Sequence, residues 1–438
     1  MKRPITVAIA GLGNRGKDTY ARYQKLAPEE MKIVAVADIV PEKVEIARQE
    51  YGIAPQMCFA SAEEMLQQPK LADVMLIATQ DRQHVGHALP ALEKGYDVLL
   101  EKPVSPDLDQ CLALEQKAKE TGREVTVCHV LRYTPFYTQL KEWIDAGELG
   151  EIISIDYIER VQYWHQAHSF VRGNWCNDQT TSPMILQKSC HDMDILSWFT
   201  GRRCLRISSV GSNRQFKPEN APAGAAQRCL DCPVKDNCLY DAERFYLSHP
   251  RMGIRSGNTD WPCNVLAQNP TEEKIYEALR TGPYGRCVYH CDNNVVDHQV
   301  AVLEFEGGLT VTFTMCAYTS QGGRSLRIMG TKGDVEADMQ TGIIRIGRFG
   351  QEPEFVKMSD LPTAKARHGG GDFGLMSTFM EHMMTRDEAG APGPMLTSID
   401  QSIASHVMAL AAEYSRRHQG QMVELDQFVS EKKYQELV

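Results

Sequence analysis

The sequence has no basic tract: 47 Lys and Arg stand against 57 Asp and Glu, a formal charge of −10, and the cations are nowhere clustered. A phosphate backbone is bound by clustered Lys and Arg, so nucleic acid is excluded as the expected partner. No apolar run is long enough to span a bilayer, and none follows Met1-Lys2-Arg3-Pro4 as a leader would. A soluble, cytoplasmic protein that works on small molecules is therefore expected. Internal repeats and low-complexity tracts are also missing. Cysteine is plentiful, but the 13 residues are odd in number, and Cys58, Cys128 and Cys316 sit singly in apolar segments. That pattern fits reduced thiols rather than a disulfide framework.

What is present is enough chain for more than one core, since 438 residues exceed the size at which a single core keeps growing. The first 130 residues alternate short apolar, β-branched runs with stretches of helical spacing, the pattern of βαβ units in a parallel sheet. Strands are expected at 5–10, 32–37, 74–78, 97–100 and 125–130, and helices at 14–26, 41–51, 84–94 and 108–121. Ser61 followed by Glu64 forms a capping box for a further short helix. Beyond about residue 150 longer strand-like runs appear, at 152–161, 205–211, 298–305, 309–315 and 326–329, and Glu306-Gly307-Gly308 joins two of them as a hairpin. Helical patterns return from Ser377, most clearly over 397–417. The expected fold class is α/β: a doubly wound parallel Rossmann sheet in residues 1–130, then an α+β domain over 131–438 with a large, mainly antiparallel open sheet. Residues 213–294 fit neither pattern and are expected to be an irregular, Cys-rich insertion in that second domain.

Gly11-Leu12-Gly13-Asn14-Arg15-Gly16 follows the first strand and opens the first helix. Glycines at these spacings permit a tight turn, close approach of the backbone to a pyrophosphate, and tight helix–strand packing, while the helix N-terminus offers free N–H groups to phosphate. Asp38, at the end of the second strand, is placed to accept hydrogen bonds from the adenosine ribose and to repel a 2′-phosphate. NAD is thereby favoured over NADP. Arg15 keeps NADP open, because a guanidinium there could neutralise a 2′-phosphate.

Three further segments bring a family into view: Ala78-Thr79 with His84, then Glu101-Lys102-Pro103 after the fifth strand, then His191 and Asp194 in a helix of the second domain. Over nearly the whole length the chain resembles the Gfo/Idh/MocA superfamily of glucose–fructose oxidoreductases and inositol dehydrogenases. The resemblance implies NAD-dependent hydride transfer at a hydroxyl or keto carbon of a sugar, polyol or glycoside. It implies a substrate lying between the open sheet and the nicotinamide, and a homo-oligomer, dimer or tetramer, formed on that sheet. It places Lys102 as donor to the reacting oxygen, with a cis Lys102–Pro103 peptide, and sets Thr79, Gln80, His84 and Glu101 beside the cofactor. His191 matches the family's histidine and Asp194 the carboxylate three residues on, but Gln187 stands where that pattern has Asp. Gln cannot move a proton, although it can orient a hydroxyl. Lys188, three residues before His191 and so on the same helical face, is expected to substitute as a charged catalytic group. Arg132, Tyr133, Trp164 and His368 are candidates to line the sugar pocket.

Cys229-x2-Cys232-x5-Cys238 is the one clustered set of thiols. Its spacing and soft thiolate ligands suit a structural zinc or an iron–sulfur cluster, with the fourth ligand open among Cys204, His249, Cys263, Cys287, His290 and Cys291. Two other functional readings stand beside the dehydrogenase. One is a glycosidase that keeps NAD bound and returns the hydride after elimination, and the other is an inactive nucleotide-binding sensor, favoured only by Gln187.

Overall fold

In the computed structural model, described here for residues 3–361, 370–386 and 393–437, the first strand β1 (Ile5–Ala10) founds a six-stranded sheet. It is joined by β2 (Met31–Ala37), β3 (Cys58–Phe59), β4 (Val74–Ile77), β5 (Asp97–Leu100) and β6 (Val125–Val127). All the pairings are parallel and the order is β3-β2-β1-β4-β5-β6. Strands β4 and β5 are buried at every position, as a sheet covered on both faces by helices requires. The expected helices over Pro41–Tyr51 and Leu108–Thr121 form with those limits, and each ends on a left-handed glycine, Gly52 or Gly122. Ser61 caps its helix as expected, accepting from the Glu64 N–H at 3.2 Å.

The first helix departs from expectation. It opens as a single π-helical turn, Gly16–Tyr20, and only Tyr23–Leu26 is regular α-helix. Helix Gly371–Thr385 returns from the far end of the sequence to cover this side of the Rossmann sheet. Its Leu375, Met376, Phe379 and Met380 share one core with Val7 and Ile9 of β1 and Val36 of β2. The dinucleotide unit thus takes in a segment that a single cut at residue 130 assigns to the second domain.

The second sheet has nine strands: β7 (Ile152–Gln162), β8 (Cys204–Ser212), β9 (His298–Phe305), β10 (Thr310–Thr319), β11 (Gly323–Gly330), β12 (Gly333–Asp338), β13 (Ile343–Arg348), β14 (Glu354–Lys357) and β15 (Val423–Glu424). The order is β14-β13-β12-β11-β7-β10-β9-β8-β15. Only β7 and β10 run parallel, and β9 and β10 form the expected hairpin. One face is buried beneath helices Cys190–Thr200 and Ile399–Arg417. The other is open and presents Ile153, Ile158, Val210, Val300 and Val302 to solvent. The insertion joins β8 to β9, which are sheet neighbours, so its two ends lie close together. Among the described residues no helix is long and apolar enough to cross a membrane.

Candidate active site

The glycine loop is shaped by what a side chain would meet there. Gly11 has φ +93°, and a Cβ on it would stand 2.4 Å from the Ala78 carbonyl oxygen; a Cβ on Gly16 would stand 1.9 Å from that of Gly11. These two glycines serve the packing of loop on strand. Gly13 differs, since nothing lies within 4 Å of a Cβ built on it. Open space above a backbone beside a helix start is where a pyrophosphate approaches, so the loop fits the dinucleotide that the sequence implies. Asp38 accepts from the Leu12 N–H at 2.7 Å and the Val40 N–H at 2.9 Å, which ties the loop to the end of β2.

Arg15 is not placed to meet a 2′-phosphate. Its Nε lies 2.6 Å from Glu101 Oε1 and its Nη2 2.7 Å from Asp372 Oδ1, and it also donates to the Tyr20 hydroxyl. Glu101 accepts in addition from Tyr20 at 2.7 Å and from the Lys102 N–H at 2.8 Å. Burial alone would push the Glu101 carboxyl up, but Arg15 and Lys102 hold it below the usual range. Glu101 is therefore a buried anion that positions the Lys102 loop. His84 likewise braces that loop, with Nδ1 2.7 Å from the Pro103 carbonyl and Nε2 3.1 Å from that of Thr79. The Thr79 hydroxyl is taken up by His87 at 3.1 Å, and Gln80 closes a turn with Gln83. The Lys102–Pro103 peptide is cis.

Lys102 projects across to the second domain, where its Nζ donates to the Gln187 carbonyl at 2.8 Å. Gln187 is buried at the end of a single helical turn, Met184–Gln187, and helix Cys190–Thr200 follows. Lys188 lies 3.3 Å from Glu159 of β7. Arg324 of β11, directly opposite Glu159 in the antiparallel register, reaches both Glu159 at 2.9 Å and Asp192 at 2.5 Å. Two cations and two carboxylates thus meet beside Lys102, all largely withdrawn from water. Burial pushes the Lys188 amine below its ordinary value; Glu159 opposes the shift, while Arg324 and Lys102 add to it. Burial likewise pushes the Glu159 carboxyl up.

Two histidines that the sequence did not single out complete this wall. His165 is driven well below its ordinary value by burial and by the charges of Lys188, His168 and Lys102, so its ring is neutral at pH 7. His129, at the end of β6, is fully buried, with neither ring nitrogen hydrogen-bonded among the described residues. It lies edge-on to His191, with ring centroids 5.6 Å apart. Its pKa falls to about 3 through burial and the cations Arg132 and Lys102.

Other candidates are committed elsewhere. Arg132 and Asp194 form a buried two-pronged ion pair at 2.7 and 2.8 Å, with side chains 3% and 0% exposed. They lock helix Cys190–Thr200 to the turn after β6 and are closed to a substrate. The Tyr133 hydroxyl pairs with Thr397 at 3.1 Å, and its ring packs with the Rossmann core. Trp164 packs between Phe245 and Trp261 of the insertion, with ring centroids 5.1 Å from each. His368 lies outside the described residues. Cys229, Cys232 and Cys238 are free thiols. Among the described residues no group of three or more His, Cys, Asp or Glu is arranged to hold a metal ion. The single zinc expected from their spacing is therefore unsupported.

Known proteins share this two-domain fold. Residues 5–129 match an oxidoreductase family's NAD-binding Rossmann fold, and residues 141–418 match that family's C-terminal α/β domain. The putative oxidoreductase YteT of Bacillus subtilis is 26% identical over 357 residues, which is 78% of this chain and 80% of that protein. The scyllo-inositol 2-dehydrogenase (NAD+) of the same organism is 28% identical over 211 residues, 48% of this chain and 58% of its own length. In fold, an inositol dehydrogenase homolog complexed with NAD+ from Azotobacter vinelandii superposes with a TM-score of 0.69 at 16% identity, over 97% of this chain and 98% of that one. With both of its domains matched, the chain belongs to the Gfo/Idh/MocA oxidoreductase family and carries that family's NAD-binding Rossmann fold.

Proposed function

We propose that the protein is an NAD-dependent dehydrogenase acting on a secondary hydroxyl, or the matching keto group, of a polyol, sugar or glycoside. The observation that carries this reading is the meeting of Lys102, on the loop beside the glycine turn, with the charged cluster of Lys188, Glu159, Arg324 and Asp192. Gly11, Gly13, Gly16 and the adjoining N–H groups would hold the pyrophosphate, and Asp38 would face the adenosine ribose. Bound NAD supplies the hydride acceptor. The chain's own task is to bind a hydroxyl-rich molecule, orient one carbon and remove one proton. Lys102 binds the reacting oxygen as a hydrogen-bond donor. The hydroxyl proton passes to Lys188, whose depressed pKa makes a neutral amine accessible, or to His191 beside it. His165 and the Trp164 wall position the remaining hydroxyls and the ring face.

A second reading, transient oxidation with the hydride returned to the same molecule, gains support from the insertion. Asn264 donates to Asp18 of the first Rossmann turn at 3.0 Å, and Asp260 lies 3.7 Å from Arg22. The insertion thus bridges the cofactor domain and the substrate wall, a geometry suited to retaining NAD between turnovers.

Incubation of the protein with NAD and a panel of inositols, free sugars and glycosides should accumulate NADH with at least one polyol or free sugar. Aglycone release without net NADH would instead select the second reading. Lys102→Ala should lower kcat by about 10² to 10⁴ while NAD binding persists; unchanged turnover would remove Lys102 from the chemistry. Gly13→Ala should leave the melting temperature of the cofactor-free protein unchanged and weaken NAD binding about tenfold or more, measured by calorimetry. An unaffected affinity would move the pyrophosphate away from this loop.

The pH profile tests the proton acceptor. A lysine must be neutral to accept, so the oxidative rate should rise through the pKa of Lys188 and level off below the ordinary lysine value of 10.5. Glu159 holds the proton on Lys188, so Glu159→Gln should move the rising limb of kcat/KM to lower pH. A limb that stays in place or moves up would assign the proton to another group.

The open sheet face, with Val300 and Val302 alternating outward along β9, supports a homo-oligomer. Val302→Lys should shift the light-scattering mass towards the monomer, whereas a monomeric parent protein would end that reading.

A further inference from the structure

Thr79 is held at both of its polar groups by one helix. It follows β4 and stands shortly before helix His84–Glu93. His84 Nε2 lies 3.1 Å from the Thr79 carbonyl. His87, three residues on and so on the same helical face, has Nδ1 3.1 Å from the Thr79 hydroxyl. The other nitrogen of His87 meets Glu63 Oε1 at 2.9 Å, from the neighbouring helix Ala62–Gln67. A chain of three side chains thus runs inward from solvent, where the Glu63 side chain is 63% exposed, through a buried imidazole to a threonine at the end of a central strand. Neither His87 nor Glu63 is among the groups assigned to hydride transfer.

The chemistry of this chain sets the direction of each hydrogen bond. The bond to His87, with those to its own N–H and to Ser61, draws the Glu63 carboxyl down to about 2, so at neutral pH it is an anion and can only accept. His87 Nε2 therefore carries a proton. In the neutral ring Nδ1 is then an acceptor, and the Thr79 hydroxyl directs its one hydrogen to it. The Thr79 oxygen keeps its lone pairs: it can receive a hydroxyl and has no hydrogen left to give to a phosphate.

Position decides which hydroxyl that is. The Thr79 backbone nitrogen lies 2.8 Å from where a Cβ on Gly11 would stand, so Thr79 flanks the glycine turn, and it is only half-buried. From β1 the sheet winds one way through β2 and β3 and the other way through β4, β5 and β6, and in such sheets a dinucleotide lies in the crevice outside the strand ends at that switch. Asp38, assigned to the adenosine ribose, stands after β2 on one side of β1. Thr79 stands on the other side, towards Lys102 after β5. Resting on the assignment of NAD to this crevice, we propose that Glu63 and His87 position the Thr79 hydroxyl as the acceptor for a hydroxyl of the nicotinamide-bearing ribose.

Calorimetry on the full chain at about pH 8, with AMP, ADP-ribose and NAD as probes, tests this, because AMP lacks the second ribose and ADP-ribose carries it without the nicotinamide. Thr79→Val should weaken ADP-ribose and NAD about threefold to tenfold and leave AMP unchanged. His87→Leu should reproduce that selective loss, and the double variant should bind no more weakly than Thr79→Val alone. His87→Gln, which can donate to Glu63 and accept from Thr79, should recover most of the affinity. If His87→Leu fails to fold, Glu63→Ala, at an exposed position, provides the second measurement, with the loss confined to the same two ligands. An equal loss for AMP, additive effects of the two substitutions, or a lowered melting temperature for His87→Leu with all affinities unchanged would overturn the proposal. Gly13→Ala separates that failure from a failure of the cofactor assignment: if it weakens NAD while the His87 variants do not, only the role of His87 and Glu63 falls.

Discussion

The guanidinium of Arg15 holds three distant parts of the chain at one point. It lies in the glycine turn, and its carboxylate partners are Glu101 at the end of β5 and Asp372 at the start of the returning helix. A largely buried cation between two carboxylates is worth little as a net source of stability, because desolvation offsets most of the attraction. Its consequence is specificity. Neither carboxylate can leave without stranding charge, so the cofactor turn, the Lys102 loop and helix Gly371–Thr385 are fixed relative to one another. Glu101 passes this constraint on through the Lys102 N–H, and the lysine side chain is thereby aimed at the second domain.

What receives it there is a second balanced cluster. Lys188 and Arg324 bring two positive charges against Glu159 and Asp192, and Lys102 adds a third cation at the rim. Excess positive charge in a site of low exposure lowers the proton affinity of whichever amine or imidazole can release its proton. Lys188 and His165 both shift in that direction. Gln187 stands where the family's pattern has a carboxylate, yet two buried carboxylates, Glu159 and Asp192, lie in this cluster. The charges have moved to a cross-strand pair between β7 and β11 and to the residue after His191.

The Rossmann half was legible because each of its signals is local. Alternating buried runs, the glycine spacing and the left-handed helix ends all act within a few residues, and the strands at Ile5–Ala10 and Asp97–Leu100 form with the limits expected. Strands β12 to β14 are not anticipated, since they are short and partly polar and lie at one end of the sheet, where few apolar residues mark them. Glu159 was visible in principle: it occupies the inward phase set by Ile155, Tyr157 and Val161, where a carboxylate needs a partner. That partner, Arg324, lies 165 positions away and is brought opposite only by the register of β11 on β7, which no local pattern encodes. Arg132 and Asp194 fail for the converse reason. Each has the chemistry of a binding residue, and only their mutual distance reveals that they satisfy one another.

The insertion illustrates how an irregular segment can be structured without a sheet of its own. Because β8 and β9 are adjacent and antiparallel, its ends are held together at no cost to the sheet, and more than 80 residues can be elaborated between them. Its small cores, one around Ala242, Tyr246 and Ile275 and the other around Phe216, Tyr240 and Tyr289, are each far smaller than those of the sheets. Apolar burial on that scale gives little rigidity. Yet this segment packs Trp261 and Phe245 against Trp164 and reaches the first Rossmann turn through Asn264. A segment that holds aromatic rings at fixed separation on so little core needs other ties, and the bridge between Arg228 and Arg286 and the buried Arg172, bonded to the carbonyls of Arg286 and Tyr240, supply them.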